Sequence, residues 1–174
     1  YQDNQGLSLL ADNTLHKIIP TPVHVNLEDG NLNISNGLNI YYSSDLISEA
    51  IYIREILQKF TGTKFSIFEK DYKNGKAIVL NSKPLNINGI SSEAYMLEIS
   101  SNKGVMITGS DPTGVFYGIQ SLISLMPLEI FQTSQNTITV PNIRVEDAPR
   151  FPYRGQHLDV CRNFFAKSTV LKLL

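Results

Sequence analysis

Four groups of residues in this sequence have types and spacings that could do chemistry. His157, Asp159 and Cys161 alternate, so on a strand the three would share one face and offer zinc-ligand types. No second ligand cluster accompanies them, since His16 and His24 lie far away in sequence. An inward-facing polar row on a strand is therefore the better account. Glu28-Asp29 and Glu146-Asp147 are adjacent carboxylate pairs. Such pairs divide acid and base roles only where their surroundings push their pKa values apart. The first sits in a turn with Gly30 and the second precedes Pro149 in a linker, so a structural reading is favoured for both. Gly109-Ser110-Asp111-Pro112-Thr113-Gly114 lies where phosphate loops sit, between a strand and a helix. Val115 and Phe116 follow the second glycine where a phosphate loop needs Lys and then Ser or Thr, which leaves a helix cap. No G-x-S-x-G nucleophile turn is present, and Cys161 lacks the helix-terminus or basic context that activates a thiol. Arg154 is different. It sits in the aromatic run Phe151-Pro152-Tyr153-Arg154-Gly155, and its planar fork can donate to two neighbouring oxygens, such as vicinal sugar hydroxyls.

The elements that must position these residues follow from apolar periodicity. Val23, Val25 and Leu27 alternate with polar residues, as do Leu32 and Ile34 after Glu28-Asp29-Gly30-Asn31, which is a hairpin signal. Leu38, Ile40 and Tyr42 extend the alternation to a third strand. Ser44 or Asp45 can cap a helix whose apolar face runs from Leu46 to Phe60 and which Gly62 can stop. Phe65 with Ile67, and then the run from Ala77 to Leu80, read as strands. A second hairpin is expected from Tyr95, Leu97 and Ile99, a turn at Asn102-Lys103-Gly104, and Val105 and Ile107. Asp111 is a good N-cap, Pro112 suits the first helical position, and the helix they open ends at Pro127. A strand is expected from Thr137 to Val145, a short one from Gln156 to Val160, and a last helix opening at Ser168 or Thr169. This order predicts an α+β fold with a largely antiparallel sheet.

Composition removes several classes. The chain has 174 residues, 42% of them hydrophobic and 18% charged, with a net charge of −1, which suits a folded core. It has no basic excess to hold nucleic acid and no apolar run near the roughly 18 residues of a membrane span. One cysteine excludes an internal disulfide framework and a cysteine-built zinc site. A (β/α)8 barrel, roughly 250 residues, does not fit. The charge is also split. Residues 1–141 carry nine basic and thirteen acidic side chains, and residues 142–174 carry six and three, so a domain boundary is expected near residue 145. The sequence opens on Tyr1 with no leader-like segment, so a removed leader or trimmed start is expected. It ends on two leucines in what should be mid-helix, so a cut soon after a second domain begins is expected too. One sequon, Asn33-Ile34-Ser35, is too short a motif to indicate glycosylation alone.

The run from Arg150 to Phe165, RFPYRGQHLDVCRNFF, resembles the opening of the catalytic barrel in glycoside hydrolase family 20, the β-N-acetylhexosaminidases. Ile18-Ile19-Pro20-Thr21-Pro22, the helix exit at Thr61-Gly62 and the run from Gly114 to Gln120 resemble that family's accessory domain. The resemblance covers residues 18–174 in order. It implies an N-terminal extension over 1–17, an accessory α+β domain over 18–147 with two helices on one face of an antiparallel sheet, and a truncated barrel start over 148–174. Gln156 to Val160 would be the first barrel strand, with the first barrel helix from Ser168 onward.

The same resemblance implies an exported exo-enzyme, periplasmic or extracellular, that removes terminal β-linked N-acetylglucosamine or N-acetylgalactosamine from glycans. Its reaction retains configuration, using the substrate's own acetamido group as nucleophile and no cofactor. Arg154 matches the arginine that binds hydroxyls of the terminal sugar in the −1 subsite. Asp159 and Arg162 match positions with a structural or supporting role, whereas Asn163 and Ala166 depart from a frequent His and Pro. The family's catalytic Asp-Glu pair lies on a later barrel strand, so no catalytic residue and no metal site is expected in this chain, and the chain alone should be inactive. The expected partners are a glycan or amino-sugar oligosaccharide for the whole enzyme, and its own barrel packed on the accessory domain. Two alternatives stay open on these residues: a related glycosidase sharing the accessory domain, and a non-catalytic glycan-binding or scaffolding module.

Overall fold

The computed structural model describes residues 18–35, 37–70, 72–155, 157–159, 162 and 164–172. Seven strands form one sheet: β1 (His24–Ser35), β2 (Ile40–Tyr42), β3 (Ile67–Glu69), β4 (Ala77–Ser82), β5 (Tyr95–Ser100), β6 (Gly104–Gly109) and β7 (Thr137–Asp147). The helices are α1 (Ile47–Thr61), α2 (Pro112–Leu125) and the short α3 (Lys167–Val170), with a 3-10 turn at Leu128–Phe131. The spatial order is β1-β7-β5-β6-β4-β2-β3.

Alternation along the strands builds the core. Leu97 and Ile99 of β5, Val105 and Ile107 of β6, and Ile78 and Leu80 of β4 turn to the face that α1 and α2 cover. The helices answer with Ala50, Ile53 and Leu57, and with Val115, Ile119 and Leu122, all fully buried. Each buried leucine or isoleucine contributes about 1.5–3 kcal/mol relative to exposure. α2 lies directly on β5 and β6: a Cβ on Gly118 would stand 2.5 Å from a methyl of Ile107.

The α+β class holds, but the sheet is mixed rather than antiparallel. β1 with β7, β7 with β5, and β5 with β6 are antiparallel, whereas β6 with β4, β4 with β2, and β2 with β3 are parallel. The cause is connectivity. α1 carries the chain from β2 back to the same end of the sheet, so β3 must run alongside β2, as in any strand–helix–strand crossover. The link from β4 to β5 makes no such crossover: β5 runs opposite to β4, and β6 turns back from β5 and so lies parallel to β4.

The first expected hairpin is also absent. β1 is one strand of 12 residues, and Glu28, Asp29 and Gly30 form a bulge in it where pairing jumps from Leu27–Ile143 to Asn31–Pro141. The amide of Asn142, opposite the bulge, donates to the Asp29 carbonyl at 2.7 Å and takes up the extra length. The shift keeps Val25 and Leu32 on the core side despite their different parity. The second hairpin forms as its spacing implies, with Tyr95 opposite Gly109 and Ser100 opposite Gly104.

Helix ends divide between agreement and correction. Gly62, in the left-handed conformation at φ 67°, ends α1 with its N–H on the Gln58 carbonyl. Neither Ser44 nor Asp45 caps the start. Leu46 occupies that position, fully buried, and its core anchoring sets the boundary without a side-chain hydrogen bond. Asp111 caps α2 as expected, accepting from the Gly114 N–H at 2.8 Å with Pro112 inside the first turn. The strand expected over Gln156 to Val160 is not formed by His157, Leu158 and Asp159; Gln156 and Val160 lie outside the described residues. α3 begins at Lys167, beside the expected Ser168.

Candidate functional site

Where β7 ends, the chain passes beside α2 and meets the segment that enters β1. Between them lies a mainly apolar cleft of about 370 Å³. Ile18 to Thr21 form one wall, Tyr117 and Ser121 of α2 the floor, and Asp147 to Phe151 the other wall. Arg150 ties the two walls together, donating to the Thr21 carbonyl at 2.6 Å.

Asp147 and Tyr95 stand side by side at the inner end. The Asp147 carboxylate accepts the Val23 N–H at 3.1 Å, and burial raises its pKa above the usual 3.8. Burial also pushes the Tyr95 phenol up to about 12, while its oxygen shares a 2.6 Å hydrogen bond with Ser121. A phenol held this firmly in its neutral form positions groups and is no nucleophile at neutral pH.

Asp147 binds its proton more tightly in the folded than in the unfolded chain. Its contribution is thus full below 3.8 and is lost as the pH rises through the raised value. Asp147→Asn keeps an acceptor for Val23 and carries no charge. Melting curves should therefore show the variant's Tm gaining on the parent's between pH 3 and pH 7. A difference that does not change with pH would exclude this origin.

The other candidates fall apart as reactive groups. Glu146 and Asp147 belong to β7 rather than to a linker, and strand alternation sends them to opposite faces. Glu146 binds the Arg144 guanidinium at 2.8 Å on the solvent side, where Glu98 also meets Arg144 at 3.1 Å. Glu28 and Asp29 are exposed in the β1 bulge. The Asp111 carboxylate is fully engaged, one oxygen on Gly114 and the other accepting the Glu93 N–H at 2.8 Å, so the helix start is closed to an anion. Asp159 pairs with Arg162 at 2.6 Å, and Cys161 and Asn163 lie outside the described residues. Among the described residues no three His, Cys, Asp or Glu side chains gather to hold a metal ion.

Arg154 stands at the mouth of the cleft. Its guanidinium forms an ion pair with Glu93 and donates to the Tyr117 hydroxyl at 3.3 Å, with its carbon 5.6 Å above that ring. The hydrogen bond to Glu93 is the main influence raising its pKa, so the group stays charged. Sequence reasoning found Arg154 but neither of its partners. Glu93 lies 61 residues away, in a loop with no motif to mark it, and Tyr117 reads only as part of a helix.

The model for glycosyl hydrolase family 20, domain 2, matches residues 15–148. The chain belongs to glycosyl hydrolase family 20. Relatives in this family include a beta-hexosaminidase of Vibrio vulnificus, 30% identical over 164 residues, which covers 94% of this chain and 17% of that protein. An N,N'-diacetylchitobiase of Vibrio harveyi is 28% identical, covering 100% of this chain and 18% of that one. Among solved structures, the family 20 beta-N-acetylhexosaminidase of Streptomyces coelicolor A3(2) superposes with a TM-score of 0.72 at 26% identity, over 90% of this chain and 31% of that one. The chain thus spans less than a third of each of these family 20 proteins.

Proposed function

We propose that these 174 residues are the accessory domain, the linker and the barrel opening of a longer exo-β-N-acetylhexosaminidase. The observation that carries the reading is the family match over residues 15–148, on a chain that covers only 17% and 18% of its two Vibrio relatives. The accessory domain is assigned to 18–147, after an extension over 1–17, and the start of a (β/α)8 barrel to 148–174. The helix opening at Lys167 fits the start of the first barrel helix. Ile19 and Phe151, which are 86% and 68% exposed where they line the cleft, support a surface that the enzyme's own barrel covers.

The whole enzyme would be exported and would remove terminal β-linked N-acetylglucosamine or N-acetylgalactosamine from glycans without a cofactor. An Asp-Glu pair on a later barrel strand would do the chemistry: Glu protonates the leaving oxygen while Asp orients the substrate's acetamido group as nucleophile. Arg154 would hold hydroxyls of the terminal sugar, a role that its fork of donors suits. The full-length enzyme, given aryl N-acetylglucosaminide and N-acetylgalactosaminide, is expected to release the free sugar with the β configuration retained. Release of the α anomer, or cleavage of neither substrate, would refute the reading.

A further inference from the structure

The fourteen residues of α2, PTGVFYGIQSLISL, include no Asp, Glu, Lys or Arg. A helix with one side in water shows charge there, as α1 does with the exposed Glu55 and Lys59, whereas a helix without charge on any side fits cover on both. We propose that the outer side of α2, with the flank of α1 beside it, is the face on which the accessory domain receives the catalytic barrel of the same polypeptide. The opposite face of the sheet stays in water. The proposal rests on the reading of the chain as part of a longer enzyme.

Three observations carry it. First, the outer side of α2 is aromatic. The Phe116 ring, 38% exposed, lies 5.4 Å from that of Tyr52 on α1 and 5.9 Å from that of Tyr117. The amide of Gln120, one turn further on, donates to the Tyr52 hydroxyl at 2.9 Å and ties the two helices into one ridge. Aromatic side chains fixed in this way form the buried centres of interfaces, from which charged residues are depleted. Second, the ridge is continuous with the cleft, which Tyr117, Gln120 and Ser124 also line. The far wall of the cleft ends at Phe151, within the segment assigned to the barrel opening. The barrel is thus tethered beside the ridge, and docking is intramolecular, at high effective concentration. Third, the other face of the sheet has the opposite character. Arg144 meets Glu98 at 3.1 Å and Glu146 at 2.8 Å there, and the Lys70 ammonium lies 4.9 Å from the centre of the Phe68 ring. Covering these charges would cost their hydration.

The test is hydroxyl-radical footprinting read by mass spectrometry, which reports the solvent access of single aromatic side chains. It compares the 174-residue chain with the full-length enzyme. Phe68 is the internal control: it is also 38% exposed, and it turns away from the helices because its neighbour Ile67 packs on the core. Phe116 is expected to be oxidised about tenfold more slowly in the full-length enzyme than in the short chain, because an interface centre excludes water as an interior does. Phe68 should react at the same rate in both. Equal rates for Phe116 in the two proteins would overturn the proposal, as would protection of Phe68 with Phe116 left open. Protection of Phe116 already in the short chain, rising with its concentration, would assign the face to a second copy and overturn it too. Assay of the same preparation on the aryl substrates keeps the failures apart. An active enzyme with an open Phe116 loses the docking face alone, whereas one that cleaves neither substrate loses the reading beneath it.

Discussion

Replacing Arg154 with alanine in the full-length enzyme is expected to lower kcat/KM for an aryl N-acetylglucosaminide by about a hundredfold to ten-thousandfold. That range is what losing two charge-assisted hydrogen bonds to a bound sugar amounts to, at about 1.5–3 kcal/mol each. Arg154→Lys should recover only part of it, because a point charge cannot span two hydroxyls as a planar fork does. The fold should barely register either change, since Arg154 is partly exposed and meets the domain through one ion pair and one hydroxyl. Steady-state kinetics and a melting curve on the same preparations separate the two effects. Parent-like kinetics in Arg154→Ala would refute the sugar contact.

A second large effect is expected far from the cleft. Gly104 opens β6 at φ 94°, and a Cβ placed on it would stand 2.0 Å from the carbonyl oxygen of Ala77 and 2.8 Å from its nitrogen. These are backbone atoms in the pairing of β4 with β6, where the Ala77 N–H also donates to the Lys103 carbonyl at 3.1 Å. Rotating a side chain cannot relieve such an overlap. Gly104→Ala should therefore cost about 3 kcal/mol or more, from left-handed strain and a forced backbone shift together. Urea unfolding measures it as a lower midpoint. A loss below about 0.5 kcal/mol would mean that the two strands do not approach as described.

What could be read in the sequence was what is decided locally. The β5–β6 hairpin, the Gly62 stop and the Asp111-Pro112 helix start each depend on a few neighbouring residues, and each forms as expected. β1 was illegible for the opposite reason. Glu28-Asp29-Gly30 has turn composition, but what absorbs those residues is Asn142, 113 positions on from the Asp29 carbonyl it binds. The direction of pairing was hidden too. Alternation in Ile40 to Tyr42 or in Ala77 to Leu80 tells which face is buried, not whether the neighbour runs parallel. That depends on where α1 and the loop before β5 return the chain.

The site divides in the same way. Arg154 was found through the motif around it, while Glu93 and Tyr117 meet it only after the sheet and α2 assemble. Glu146-Asp147 shows the converse: adjacency in sequence suggested a pair, and β7 places its members on opposite faces.

The central claim, that this chain carries accessory domain and barrel opening without the catalytic carboxylates, is tested most directly by assaying the chain itself. The purified 174 residues, folded as shown by a cooperative melting transition, would be given an aryl N-acetylglucosaminide beside the full-length enzyme. No release of the aryl group by the short chain, with turnover by the long one, is the expected result. Cleavage by the 174 residues alone would contradict the account, because a hydrolytic centre would then have to lie among residues where none has been assigned.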